Sequence, residues 1–416
     1  MSDIQSGTSL SWSDTHYLDP RREIEKLRDQ LAAHDKPLAF LFGAGTSCAS
    51  LGRDGLPLIP AVSGLTELVT EKIDALGEKF GLAIAEIRER IWEGFLEADV
   101  QREVNIEDVL SEVSLLIQAM SQGDELRGLT RDEMETVEKT IRTTIASVAR
   151  PDEARIPDVI PQNSLGRWIA RINREWPIEV FTTNYDTLIE RGMENAEVPV
   201  FDGFVGSRRP FFNSSSLVDR DFAPGNSWAR LWKIHGSVNW RREGNRYIRG
   251  EERDDGELIL PSARKYDESR KLPYVAILDN LGRFLVKRQD SLLLIVGYSF
   301  GDQHINESIF ESLRVHDRVH VIALMYEDLG EDSELVRHCN NHRNLIVYGP
   351  RFGVVGGERL EWRLSDPVDR RTAGLLDVPF DSDFSPEMES TSLTGRFRLG
   401  DFNWFARFLD QISGTE

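Results

Sequence analysis

Thiols are nearly absent from this chain: Cys48 and Cys339 are the only two in 416 residues. They stand far apart and without C-x-x-C spacing, which excludes a disulfide framework or a thiolate zinc site and fits a reducing compartment. Long hydrophobic runs are missing as well. No stretch approaches the roughly 20 apolar residues of a membrane span, and the polar first residues hold no apolar signal segment, so a cytoplasmic protein without a membrane partner is expected. Positive charge is in short supply, with 50 Lys and Arg against 70 Asp and Glu and a net charge of −20. That balance repels polyanions, so stable direct nucleic-acid binding is not expected. No carboxylate cluster with a recognisable metal spacing stands out either. His338 and His342 share a helical i,i+4 spacing, but no third or fourth ligand lies nearby in sequence, and a solvated helix end is the simpler reading than a metal site.

What the chain does have is length for two or three packed units and a clear change of pattern along it. Residues 1–35 read as a polar arm followed by a short amphipathic helix through Ile24, Leu27 and Leu31. Residues 36–350 read as the main domain. Inside it, about 65–150 is charged and helical, with Ile106, Val109, Leu110, Val113, Leu116 and Ile117 on one face. Apolar runs at 38–42, 178–181, 231–234, 292–296, 319–324 and 345–348 alternate with helical stretches, which predicts an α/β fold around a parallel sheet with an inserted helical module. The stretch from about 203 to 230 reads as a long loop. Residues 351–416 form a tail region of weak periodicity with no assigned fold, a possible assembly segment.

Four of these runs empty directly into polar or glycine-rich text. Gly43-Ala44-Gly45-Thr46-Ser47 follows the first, Thr182 to Asp186 with Asn184 the second, His235-Gly236-Ser237 the third, and Gly297 to Asp302 with Ser299 the fourth. Ligands of an open parallel sheet bind where its strands end, so these segments should converge. Each has a plain structural reading of its own. Asn184 and Asp186 are ordinary caps and turn formers, Asp302 suits the start of a helix, and His235 suits a satisfied core position. Placement of all four at strand ends favours a shared site.

In this order, the glycine loop, Thr-x-Asn-x-Asp, His-Gly and Gly-x-Ser resemble the sirtuin fold, in particular bacterial sirtuin-like proteins that cleave NAD in antiphage defence. The resemblance covers about 36–64 and 178–350. It implies a Rossmann-like sheet and NAD as substrate, with no metal required. It implies that Gly43, Ala44, Gly45 and Ser47 hold the pyrophosphate and neighbouring ribose, and that Gly297 and Ser299 face the adenosine side. It further implies that Asn184 and His235 are catalytic and that Asp186 lies near the nicotinamide amide. The layout is also similar to the sirtuin-like subunit encoded beside a HerA-type ATPase, which implies a homo-oligomer and such an ATPase as partner. The chain departs from protein-deacylating sirtuins: it lacks their four zinc-binding cysteines, and Gly55-Leu56-Pro57-Leu58-Ile59-Pro60 stands where they carry Gly-Ile-Pro-Asp-Phe-Arg.

Cleaving the nicotinamide–ribose bond expels an already cationic leaving group, so no acid is needed there; the demand is to support an oxocarbenium-like ribose and to orient water. Asn184 is expected to orient ribose hydroxyls and water, His235 to act as base or hydrogen-bond acceptor, and Asp186 to support the nicotinamide end. Two other readings stay open. One is a sensor of NAD or ADP-ribose without turnover, as a subunit of an ATPase complex. The other is an α/β-hydrolase, since Gly297-Tyr298-Ser299-Phe300-Gly301 spells G-x-S-x-G, with His338 or His342 as partner of Ser299.

Overall fold

The computed structural model describes residues 17–97, 103–218, 224–252, 257–258, 272–287, 290–331, 333–365, 374–382 and 394–414. The apolar runs form the middle of one ten-stranded sheet. In chain order its strands are β1 Tyr17–Leu18, β2 Leu38–Phe42, β3 Glu179–Thr182, β4 Val200–Phe201, β5 Ala229–Lys233, β6 Leu292–Val296, β7 His320–Leu324, β8 Leu345–Tyr348, β9 Phe352–Val355 and β10 Glu358–Trp362. Their order across the sheet is β1-β10-β9-β8-β7-β6-β2-β3-β5-β4. From β8 to β4 every neighbouring pair is parallel. Only β9 breaks the pattern, pairing antiparallel with both β8 and β10. This is an α/β, Rossmann-like architecture.

Helices cover both faces, which is why the central strands are apolar without alternation. One face buries Phe40, Phe42, Leu294 and Val296 against α1 Pro20–Ala32, α7 Pro161–Arg171, α8 Leu188–Asn195 and α12 Phe402–Ile412. The other buries Leu41, Phe181, Trp232 and Ile295 against α9 Tyr274–Lys287, α10 Gln303–Val315 and α11 Glu334–Asn341. Each such Leu, Ile or Phe contributes about 1.5–3 kcal/mol by leaving water. Helix α7 approaches α8 closely because both are glycine at the crossing: a Cβ on Gly166 would stand 2.1 Å from the Gly192 carbonyl oxygen.

A separate core gathers α3 Val62–Asp74, α4 Glu78–Glu97, α5 Ile106–Ala119 and α6 Arg131–Val148. The periodic set of α5 is its buried face: Ile106, Val109, Leu110, Val113 and Ile117 are all inside. Capping boxes at Asn105 and Thr130 start α5 and α6. This helical core also takes in Val238 and Tyr185, both from the strand-end segments of the sheet.

Two expectations change. Within the expected N-terminal arm, residues 1–16 lie outside the described residues, while Tyr17 and Leu18 pair in parallel with Glu361 and Trp362. The stretch after 203 is not simply a loop. Phe204–Val205 and Phe211–Phe212 join the 240–249 hairpin in a four-stranded antiparallel sheet. Aromatic packing drives it, with Phe204 set 5.6 Å from Phe212 and 4.9 Å from Trp240 between ring centroids.

The sheet reverses its winding between β2 and β6: β2 leads to β3 on one side, whereas β6 leads to β7 on the other. The strands there are also level. Phe42 aligns with Val296 and with Thr182, and Thr182 aligns with Lys233. The four polar segments therefore leave one edge of the sheet on four adjacent strands, at the crevice where such folds bind ligands.

Candidate functional site

The loops after β2 and β6 are zipped together by glycine. The Gly45 amide donates to the Gly297 carbonyl at 2.9 Å, and the Gly43 amide to Val296 at 3.2 Å. A Cβ on Gly43 would meet Gly297 O at 2.4 Å and Tyr298 Cα at 2.5 Å. Gly297 itself has φ +66°, a left-handed conformation that favours glycine. Glycine is thus needed here first for backbone-to-backbone contact. Ala44 and Gly45 remain exposed at the crevice, while the Gly45 amide is already committed within the protein.

Asn184 reaches across from β3 to that loop. Its Nδ2 lies 3.0 Å from Gly43 O, 2.9 Å from Thr46 Oγ1 and 2.7 Å from Ser47 Oγ, with its two hydrogens shared among these three acceptors. The Ser47 hydroxyl in turn donates to Asp186 Oδ2 at 2.6 Å, and Asp186 Oδ1 accepts the Leu188 amide at 3.0 Å. Asn184, Ser47 and Asp186 are all buried. Gln162 on α7 supports the same turn by donating to Thr46 O at 2.9 Å. Thus three predicted residues, Asn184, Ser47 and Asp186, form one network with Gly43.

His235 belongs to a second network. Its Nε2 lies 3.0 Å from Asp302 Oδ2, and both side chains are buried. Asp302 Oδ1 accepts the amides of His304 and Ile305 at 2.9 and 3.2 Å, capping α10. A carboxylate only accepts, so the geometry assigns the imidazole proton to Nε2 and leaves Nδ1 as the acceptor. Three tyrosines surround this pair. Tyr185 and Tyr274 place their rings 6.3 and 6.4 Å from the imidazole, and Tyr298 donates to Asp302 O or Asn306 Oδ1 at 3.2 and 3.0 Å. Burial pushes the Tyr274 and Tyr298 hydroxyls up, and the Asp302 carboxylate adds to it, so both stay protonated.

The two networks meet through strand register and through Tyr185. Asn184 and His235 sit two residues beyond the paired Thr182 and Lys233, and the Ile234 amide continues the ladder to Thr182 O at 2.8 Å. Tyr185, next to Asn184, faces His235, and its carbonyl accepts Val238 N at 3.0 Å and Ser237 Oγ at 3.2 Å. Lys233, two residues before His235, is only 2 % exposed. Its ammonium donates to the carbonyls of Tyr185 and Asp186 and pairs with Glu190 Oε1 at 2.9 Å. Burial raises the Glu190 carboxyl above its usual range, against the pull of Lys233.

Ser299 stands apart from these networks. It is exposed, and among the described residues it makes no hydrogen bond to a histidine; His338 stacks on Phe310 at 3.6 Å and pairs with Glu334. Among the described residues, no group of three or more His, Cys, Asp or Glu is placed to hold a metal ion, and no helix is long and apolar enough to cross a membrane. In the sequence alone Asp302 reads only as a cap, and Thr46, Lys233 and Tyr274 do not stand out as site residues. Asp302 had a signal in its place at the end of the Gly297 segment. Lys233 had one as a lone charge within an apolar run.

Residues 178–348 match the family model of the SIR2-like domain, a stretch holding three of the four strand-end motifs. No curated protein matches the chain significantly. SIR2-like domains bind NAD and are Rossmann-like, and the sheet described above is Rossmann-like.

Proposed function

We propose that this protein is an NAD glycohydrolase, cleaving the bond between nicotinamide and ribose to give nicotinamide and ADP-ribose. The observation that supports it most is the placement of Asn184 and His235 two residues past the paired ends of adjacent strands, each fixed by its own carboxylate-bearing network. With Nδ2 committed to the glycine loop, Asn184 offers Oδ1 to the ribose hydroxyls. As the C1′–N bond breaks, its electron pair neutralises the nicotinamide ring, and the oxygen of a water bonds to C1′. The proton that water releases passes to His235 Nδ1, while Asp302 holds the ring and stabilises the imidazolium. Asp186 supplies negative charge beside the developing cation, buried where such charge acts strongly.

In this reading Gly43, Ala44, Gly45 and Ser47 line the pyrophosphate and ribose region, and Gly297 and Ser299 the adenosine side. Its cellular extension is NAD depletion in antiphage defence, by a homo-oligomer working with a HerA-type ATPase. Light scattering of the protein alone and with such an ATPase tests the assembly. The activity is tested by incubating purified protein with NAD and separating the products. Equimolar nicotinamide and ADP-ribose is the expected result. A stable NAD complex that yields neither product, with and without the ATPase, contradicts it and supports a sensor.

A further inference from the structure

Among the described residues, the buried hydroxyl of Tyr274 has nothing to bond. The residue is 2 % exposed. Its ring belongs to the apolar core that also buries Leu41, Phe181 and Ile295, a task phenylalanine performs equally well. The neighbouring Tyr298 differs, since its hydroxyl has both Asp302 O and Asn306 Oδ1 within reach. Nor is the position incidental. The Tyr274 ring lies 20° from parallel to the His235 imidazole at 6.4 Å, close enough to Asp302 for that carboxylate to act on its hydroxyl. Another buried orphan, the Ser291 hydroxyl, sits just before β6, at the opposite edge of the sheet from the crevice.

A buried donor without an acceptor is costly to the free protein, and one placed beside a ligand crevice regains its hydrogen bond when a ligand supplies the acceptor. We infer that Tyr274 is a substrate-binding residue whose hydroxyl donates to an oxygen of the ribose that bears nicotinamide, beside His235. This rests on the dinucleotide reading above. It gives α9 a direct part in the site and adds a donor where Asn184 Oδ1 and His235 Nδ1 offer acceptors. The tyrosine then selects for a hydroxylated sugar at that end of the ligand.

Tyr274→Phe gives a signature that a structural hydroxyl cannot produce. With no partner to lose, the variant melts at the wild-type temperature or above it. Its affinity for ADP-ribose, measured by calorimetry, falls about ten-fold, the loss expected for one buried hydrogen bond. Affinity for ADP, which lacks the terminal ribose, stays at the wild-type value. Equal ADP-ribose affinity in the two proteins overturns the inference. So does a lowered melting temperature, which reveals a protein or water partner for the hydroxyl, and so does a parallel loss for ADP. Failure of the wild-type protein to bind either ADP-ribose or NAD instead removes the dinucleotide reading, and the inference falls with it.

Discussion

Asp302 holds His235 at 3.0 Å with one carboxylate oxygen and caps α10 with the other, across 67 residues of chain. One side chain thus fixes the imidazole to the start of a helix. Asparagine caps helices as well as aspartate, whereas alanine costs about 1 kcal/mol at such a position. Asp302→Asn is therefore expected to unfold within about 1 kcal/mol of wild type in urea while losing at least about 100-fold in nicotinamide release, since the imidazolium loses its counter-charge. Asp302→Ala loses both. Full activity in Asp302→Asn would show that the carboxylate serves the helix alone.

The glycine contact between the first and last of the four motifs predicts a stability effect. Gly43→Ala drives a methyl group into Gly297 O and Tyr298 Cα, and Gly297→Ala adds a left-handed residue with its Cβ 2.7 Å from Thr46 N. Each should lose at least about 2 kcal/mol of unfolding free energy. Gly94 on α4 has open space around a Cβ, so Gly94→Ala should gain about 0.5–1 kcal/mol. Denaturant titration of the three variants checks the contrast.

Lys233 ties the Asn184 loop to the strand that carries His235, and removing its charge leaves two carbonyls and Glu190 without their donor. Lys233→Met is expected to cost about 3–5 kcal/mol. Glu190 adds a pH dependence. Its folded-state carboxyl is raised, so its contribution is complete below the unfolded value of 4.5 and is lost as pH rises through the folded value. Relative to Glu190→Gln, the wild type should therefore become less stable from about pH 4.5 upward. A constant difference between the two across that range contradicts the burial of this carboxyl.

Cys48 reports on Asp186. Burial, and next the Asp186 carboxylate, push its thiol up to about 11, and burial pushes Cys339 up to about 12. Both should label slowly with iodoacetamide at pH 7.5, because the thiolate is the reactive form. Asp186→Asn removes the nearby negative charge and should speed labelling of Cys48 severalfold without affecting Cys339. An unchanged Cys48 rate would place the two groups further apart.

The central sheet was legible because β2, β6 and β8 are continuous apolar runs, the pattern of a strand buried on both faces, while β3, β5 and β7 keep apolar centres around Glu179, Arg230, Lys233 and His320. The rim was not. Strand β10 carries Glu358, Arg359 and Glu361, and β1 is two residues long, so neither has a period to read. Helix α12 hides its role differently: Phe402 and Phe405 look like scattered aromatics until Phe42 and Phe40 are found 5.4 and 6.2 Å from them. In the site, Asn184 and His235 were visible as polar residues at strand ends, whereas the orphan hydroxyl of Tyr274 and the second bond of Asp302 exist only once distant elements pack.

The meeting of the four strand-end segments around one dinucleotide is tested most directly by nicotinamide release from NAD, measured side by side for wild type, Asn184→Ala and His235→Ala at matched melting temperatures. The account predicts release by the wild type and a loss of at least about 1,000-fold in each variant. Release at the wild-type rate by either folded variant would contradict it.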